Sequence, residues 1–156
     1  MKRNSIKKSV KYLYLSDKKN HCLSIGRYLF EEYPGIVAFS VSFKGDNAPF
    51  SKKIAHNVLN SRIENLAKNF NDTISVLIAN NEKEEWMSVD NYVALALVEK
   101  GSEKTFLKNF VTIKTEEKLK DFYVEVVNTD IEEKRPHWFN YEWLKNNFDL
   151  NYIHEE

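Results

Sequence analysis

The sequence predicts an α+β domain: an antiparallel or mixed sheet of about five to six strands, two main helices on one face, and a short C-terminal helix. Three observations carry this. Helix-period patterns dominate the first half of the chain, and a run of strand-like patterns follows them. The length of 156 residues suits one domain. The apolar content of 42 %, with ten Phe, eight Tyr and three Trp, supplies a core and argues against a chain disordered throughout. Residues 1–156 therefore read as one globular unit, with 1–9 as a disordered tail.

The elements follow in order. Val10–Leu15 alternates weakly and reads as a first strand. Asn20 stands where a helix N-cap would. Cys22, Ile25, Leu29 and Tyr33 then recur at helical spacing, and Pro34-Gly35 provides a stop. Ile36–Phe43 is a clear strand, with Val37, Phe39, Val41 and Phe43 on one face. Ser51–Phe70 is a clear helix, with Ile54, Val58, Leu59, Ile63, Leu66, Ala67 and Phe70 in one stripe.

Thr73–Ala79 reads as a strand buried on both faces, Trp86–Val89 fits either state, and Tyr92–Val98 is an apolar run of strand length. Phe110–Lys114 and Phe122–Val127 read as two further strands, the second with Phe122, Val124 and Val126 on one face. Trp138–Phe148 closes the chain as a helix. The expected order is β-α-β-α-β-β-β-β-α.

Motifs for chemistry are sparse. The four glycines, at 26, 35, 45 and 101, are too far apart for a phosphate-binding loop of the P-loop or dinucleotide kind. One cysteine, Cys22, permits no internal disulfide and no cysteine-based zinc site. It reads as a small buried hydrophobe rather than a nucleophile paired with His21. His21, His56, His137 and His154 show no metal-ligand spacing, so neither metal nor cofactor is expected. Glu31-Glu32, Glu84-Glu85, Glu116-Glu117 and Glu132-Glu133 sit in polar surroundings and read as solvated pairs.

Net charge is zero but uneven. Residues 1–27 hold eight Lys or Arg against one Asp; residues 116–156 hold five against eleven acids. The basic end (Lys2, Arg3, Lys7, Lys8, Lys11, Lys18 and Lys19, with Tyr12 and Tyr14 for stacking) suits phosphate contacts. The balanced overall charge and the acidic last third argue against a dedicated nucleic-acid binder. The longest apolar run, Tyr92–Val98, falls far short of a membrane span, and no signal-peptide core follows the basic start. The cytosol is the expected compartment. Seventeen Asn and frequent Lys and Ile suggest an AT-rich bacterial or phage coding sequence.

The segment that most suggests a working surface is 130–143. Asp130, Glu132 and Glu133 precede Arg135 and His137, and Trp138, Phe139, Tyr141 and Trp143 crowd into six residues. One helix cannot bury all four rings, and Trp, Tyr and Arg are frequent binding anchors. The expectation is a protein-binding inhibitor of the immunity-protein or antitoxin kind, not an enzyme, which covers a basic toxin domain such as a nuclease. The alternatives are a nucleic-acid-binding accessory protein and a small enzyme whose site is assembled from scattered residues.

Overall fold

The computed structural model describes residues 7–44 and 49–148. Its centre is a five-stranded antiparallel sheet in the order β1-β2-β3-β5-β4. β1 is Lys8–Ser16, β2 is Cys22–Phe30 and β3 is Ile36–Lys44. β4 (Trp86–Asp90) and β5 (Val93–Leu97) complete it. Helix α1 (Lys52–Glu64) leads through a 3-10 stretch, Asn65–Asn69, into α2 (Phe70–Asn80). Helices α3 (Glu103–Val111), α4 (Glu116–Asn128) and α5 (Tyr141–Asn147) follow β5. The class, the antiparallel sheet and the short C-terminal helix are as expected; several individual elements are not.

The helix expected from Cys22 is β2. It pairs with β1 from Ser16↔Cys22 to Lys8↔Phe30 and with β3 from Cys22↔Lys44 to Leu29↔Val37. A strand flanked on both sides and covered on both faces becomes nearly continuous in apolar character, which erases alternation and lets a helical spacing appear by accident. Gly26 also disfavours a helix here. A Cβ at Gly26 would lie 2.5 Å from the Tyr28 hydroxyl oxygen, so the bare backbone is what lets the Tyr28 ring lie back over its own strand. Asn20, the expected N-cap, instead sits in the hairpin turn at φ 68°, a conformation Asn tolerates. The start of β1 at Lys8 takes residues 8 and 9 out of the expected tail; residues 1–6 lie outside those described.

The strand expected at Thr73–Ala79 is α2. Its β-branched residues misled, because propensity is a weak prior that packing overrides. Phe70 and Leu77 bury on one side while Val76 and Ile78 stay exposed. Thr73 and Ser75 donate their hydroxyls to the carbonyls of Asn69 and Asn71, a bond that only the helical turn provides. The strands expected at Phe110–Lys114 and Phe122–Val127 are the end of α3 with the loop behind it, and the body of α4. Leu119, Phe122 and Val126 form the buried stripe of α4, and Val124 is exposed. The Thr115 side chain accepts from the Lys118 N–H and caps that helix. The final helix begins at Tyr141, three residues later than expected, because Asn140 caps it by accepting from the Trp143 N–H at 2.8 Å.

The sheet is covered on both faces. On one, Tyr28, Phe30, Ala38, Val93 and Leu95 meet Ile63, Leu66, Phe70 and Leu77 of the α1–α2 layer. On the other, Leu23, Ile25, Phe39, Val41 and Ala94 meet Leu119, Phe122, Val126 and the C-terminal residues Phe139, Trp143, Leu144 and Phe148. Val37 and Ala96 pack with Leu107 of α3 at the end of this second face. One strand expected as a helix, and helices expected as strands, still leave a sheet of the expected size. Among the described residues, no helix is long and apolar enough to cross a membrane.

Candidate functional site

The 130–143 segment divides into a buried part and an exposed part. Asp130 is buried and serves the loop itself. Its carboxylate accepts from the Lys134 N–H at 2.7 Å and the Arg135 N–H at 3.0 Å, and the Arg135 guanidinium lies 3.5 Å away. Burial alone would raise its pKa, but these bonds and the Tyr92 hydroxyl hold it below the usual carboxylate range. Phe139 and Trp143 are core residues, so neither is an anchor for a partner. Trp143 donates its indole N–H to the Asp17 Oδ2 at 2.7 Å. Trp138 is half-buried and stacks on His21, with ring centroids 4.6 Å apart and planes 7° from parallel. Tyr141 is half-buried, edged by Tyr123 and overlain by the Lys120 ammonium.

Of the candidate residues, Glu132, Glu133 and His137 are exposed. Glu132 pairs with Lys134 at 2.6 Å, and Glu133 holds a turn at φ 56°. The rings were expected at the surface because one helix cannot bury them all. The structure resolves this by seating Trp138 and Phe139 on the loop before α5, where they reach a different wall of the same core.

The acidic surface lies instead along α4. Lys118, Asp121, Phe122 and Glu125 share one side of that helix, facing α3 and the start of β4. Together with Glu84, Trp86, Phe106, Asn109 and Phe110 they enclose a recess of about 350 Å³. Its floor is a ring cluster: Trp86 lies 5.2 Å from Phe106 and 5.0 Å from Phe110, and Phe110 lies 5.2 Å from Phe122. Burial first, and then the like charges of Asp121 and Glu85, hold the Glu125 carboxyl above its ordinary value. No cation pairs with Asp121 or Glu125 among the described residues. An electron-rich floor under crowded carboxylates is an environment that favours a guanidinium or ammonium group.

The sequence hid this site for a definite reason. Asp121 and Glu125 are four apart and adjacent only on a helix, whereas Phe122–Val127 reads as a strand. Glu84 and Glu85 are exposed, as the solvated pair expected, and Glu85 adds a like charge near Glu125.

The basic N-terminal stretch is answered from within only in part: Lys11, Lys18 and Lys19 form no ion pair among the described residues, and Lys2 and Arg3 lie outside them. Lys8 pairs with Glu64, and Lys7 lies 4.0 Å from Glu31. Tyr12 and Tyr14 do not offer free stacking faces. Tyr12 stacks on His56 at 3.6 Å, and the Tyr14 hydroxyl bonds the His56 Nε2. Asn60 donates to the Tyr12 hydroxyl at 2.9 Å and accepts from Tyr28 at 2.9 Å, completing a polar seam between sheet and α1. Cys22 is buried, and burial raises its thiol pKa, which suits a packing role. No group of three metal-ligating side chains occurs among the described residues, and His154 lies outside them. Comparison with protein families, with curated proteins and with solved structures finds no match.

Proposed function

We propose that this protein is a protein-binding inhibitor of the immunity-protein or antitoxin kind, acting in the cytosol on a partner with a basic surface. The observation that carries the reading is the recess between α3, α4 and β4, where Asp121 and Glu125, with no ion pair among the described residues, stand beside Lys118 over four aromatic rings. An Arg or Lys from a partner would enter with its stem on the rings and its charge among the carboxylates. The exposed acids of the recess rim would steer association with a partner such as a nuclease domain. This moves the proposed contact from the 130–143 rings to α4, with Glu132 and Glu133 left as peripheral charge.

The test is affinity capture with the full chain from its source cells. A basic protein retained in a stable one-to-one complex, and lost when Asp121→Lys and Glu125→Lys are introduced together, is the expected result. Retention of no protein, or retention indifferent to that pair of charge reversals, rejects the proposal.

A further inference from the structure

On the far side of α3 the charge has the opposite sign. A groove of about 540 Å³ runs between β1, β2 and α3, lined by Lys11, Arg27, Lys104 and Lys108 with Ser9, Val10, Leu29 and Leu107. Among the described residues no carboxylate lines it. The acids of the adjoining recess are engaged: Glu31 with Lys7, and Glu103 with the N–H groups of Gly35 at 2.7 Å and Gly101 at 2.9 Å.

The arrangement of these cations costs stability in two ways. Lys11 and Arg27 are directly opposite partners in the β1–β2 ladder, so their side chains leave the same face side by side. Lys104 and Lys108 are four apart on α3 and repel in the same manner. No ion pair forms on any of the four among the described residues. Arg27 is half-buried, and its Nε is enclosed without a hydrogen-bond partner. Burial pulls its pKa down, which marks a charge held against its preference. Nothing in the packing of the sheet requires four cations here. Such a local conflict within an otherwise consistent fold is what a ligand site leaves behind.

We propose that this groove binds a small molecule carrying two or more phosphate groups. Arg27 supplies a planar guanidinium fork suited to two phosphate oxygens at once. Lys11, Lys104 and Lys108 answer the remaining charge from both banks. Leu29 and Leu107 give an apolar floor for the rest of the molecule. The volume matches small-molecule sites, which run from about 300 to 1,000 Å³. Among the described residues no aromatic side chain lines the groove, and none there offers the stacking platform that single-stranded nucleic acid uses.

The experiment is titration calorimetry on the full chain with four probes: inorganic triphosphate, adenosine triphosphate, inorganic sulfate and a short single-stranded oligonucleotide. The expected result is one-to-one binding of triphosphate with Kd below about 1 mM. Arg27→Gln weakens it by about tenfold or more, as the loss of a charged bidentate contact implies. The exposed pair Lys104→Gln with Lys108→Gln does the same without touching the core, and circular dichroism confirms that both variants fold. Equal affinity for the two phosphorylated probes makes the phosphate chain the recognised part; tighter binding of the nucleotide shows that its organic portion is seated as well. Either supports the proposal. Three results overturn it: no heat with triphosphate, sulfate binding as tightly as triphosphate, or binding of the oligonucleotide alone.

Discussion

Asp17 shows how much one side chain can organise. It accepts from the backbone N–H groups of Lys19 at 2.8 Å and His21 at 3.0 Å, from the His21 ring at 3.0 Å and from the Trp143 indole at 2.7 Å. Burial would raise its pKa, but the bonds from Trp143, His21 and Lys19 prevail and bring it to about 2. Asp17→Ala is expected to cost about 2–3 kcal/mol, the usual worth of hydrogen bonds to a charged acceptor, measured by urea unfolding at neutral pH. Because the folded carboxyl binds its proton less tightly than the unfolded one, this contribution is complete above about pH 4 and drains away as the pH falls through about 2. Wild type and variant should therefore converge in acid. Glu125 behaves in the opposite sense. Its folded pKa is raised, so ionisation costs stability above the ordinary carboxylate range. Glu125→Gln should raise Tm at neutral pH, and the gain should vanish below about pH 4, where both states of the wild type are protonated. A variant that is less stable at neutral pH would show that the carboxylate is held by contacts rather than crowded by Asp121 and Glu85.

The C-terminal helix α5 is a clasp. Its Trp143 reaches the β1–β2 turn, and Trp138 just ahead of it stacks on His21 in the same turn. Trp143→Phe keeps most of the ring but leaves Asp17 with one donor fewer, so a loss of about 1–2 kcal/mol is expected. Trp143→Ala adds a cavity, and large aromatic truncations in cores cost about 3–5 kcal/mol. Thermal unfolding followed at the tryptophan signal checks both; a Trp143→Ala chain as stable as wild type would return that ring to the surface. At this scale the sequence is legible where large apolar residues alternate with small or polar ones and opaque where they do not. β3 and α1 were readable from their patterns, since Val37, Phe39 and Val41 alternate and Leu59, Ile63 and Leu66 keep helical spacing. β2 is not, because it carries large apolar residues on both faces, Leu23 and Ile25 on one and Tyr28 and Phe30 on the other, whereas β3, buried just as fully, sets the small Ala38 and Ser40 opposite Val37, Phe39 and Val41. The helices α2 and α4 were missed because Ile74, Val76, Val124 and Val126 are β-branched, and only their tertiary contacts show which side is wet. The candidate recess was lost with α4, since two carboxylates four apart mean nothing on a strand.

Across the whole molecule, α3 separates two fields of opposite sign. Phe106 and Phe110 face the carboxylates of α4, while Lys104, Leu107 and Lys108 line the cationic groove. The net charge of zero conceals this, because composition adds what the fold keeps apart. The two layers on the sheet also differ in when the ribosome delivers them. The cover for one face, residues 52–80, is made before β4 and β5 exist. The cover for the other comes only with residues 103–148, after the last strand. A growing chain that has just finished β5 therefore owns all five strands and one helical layer, while Leu23, Ile25, Phe39 and Val41 still look for shelter. For the time it takes to add the remaining third of the protein, that greasy half of the sheet is open to other nascent chains, and a chaperone has its clearest reason to bind.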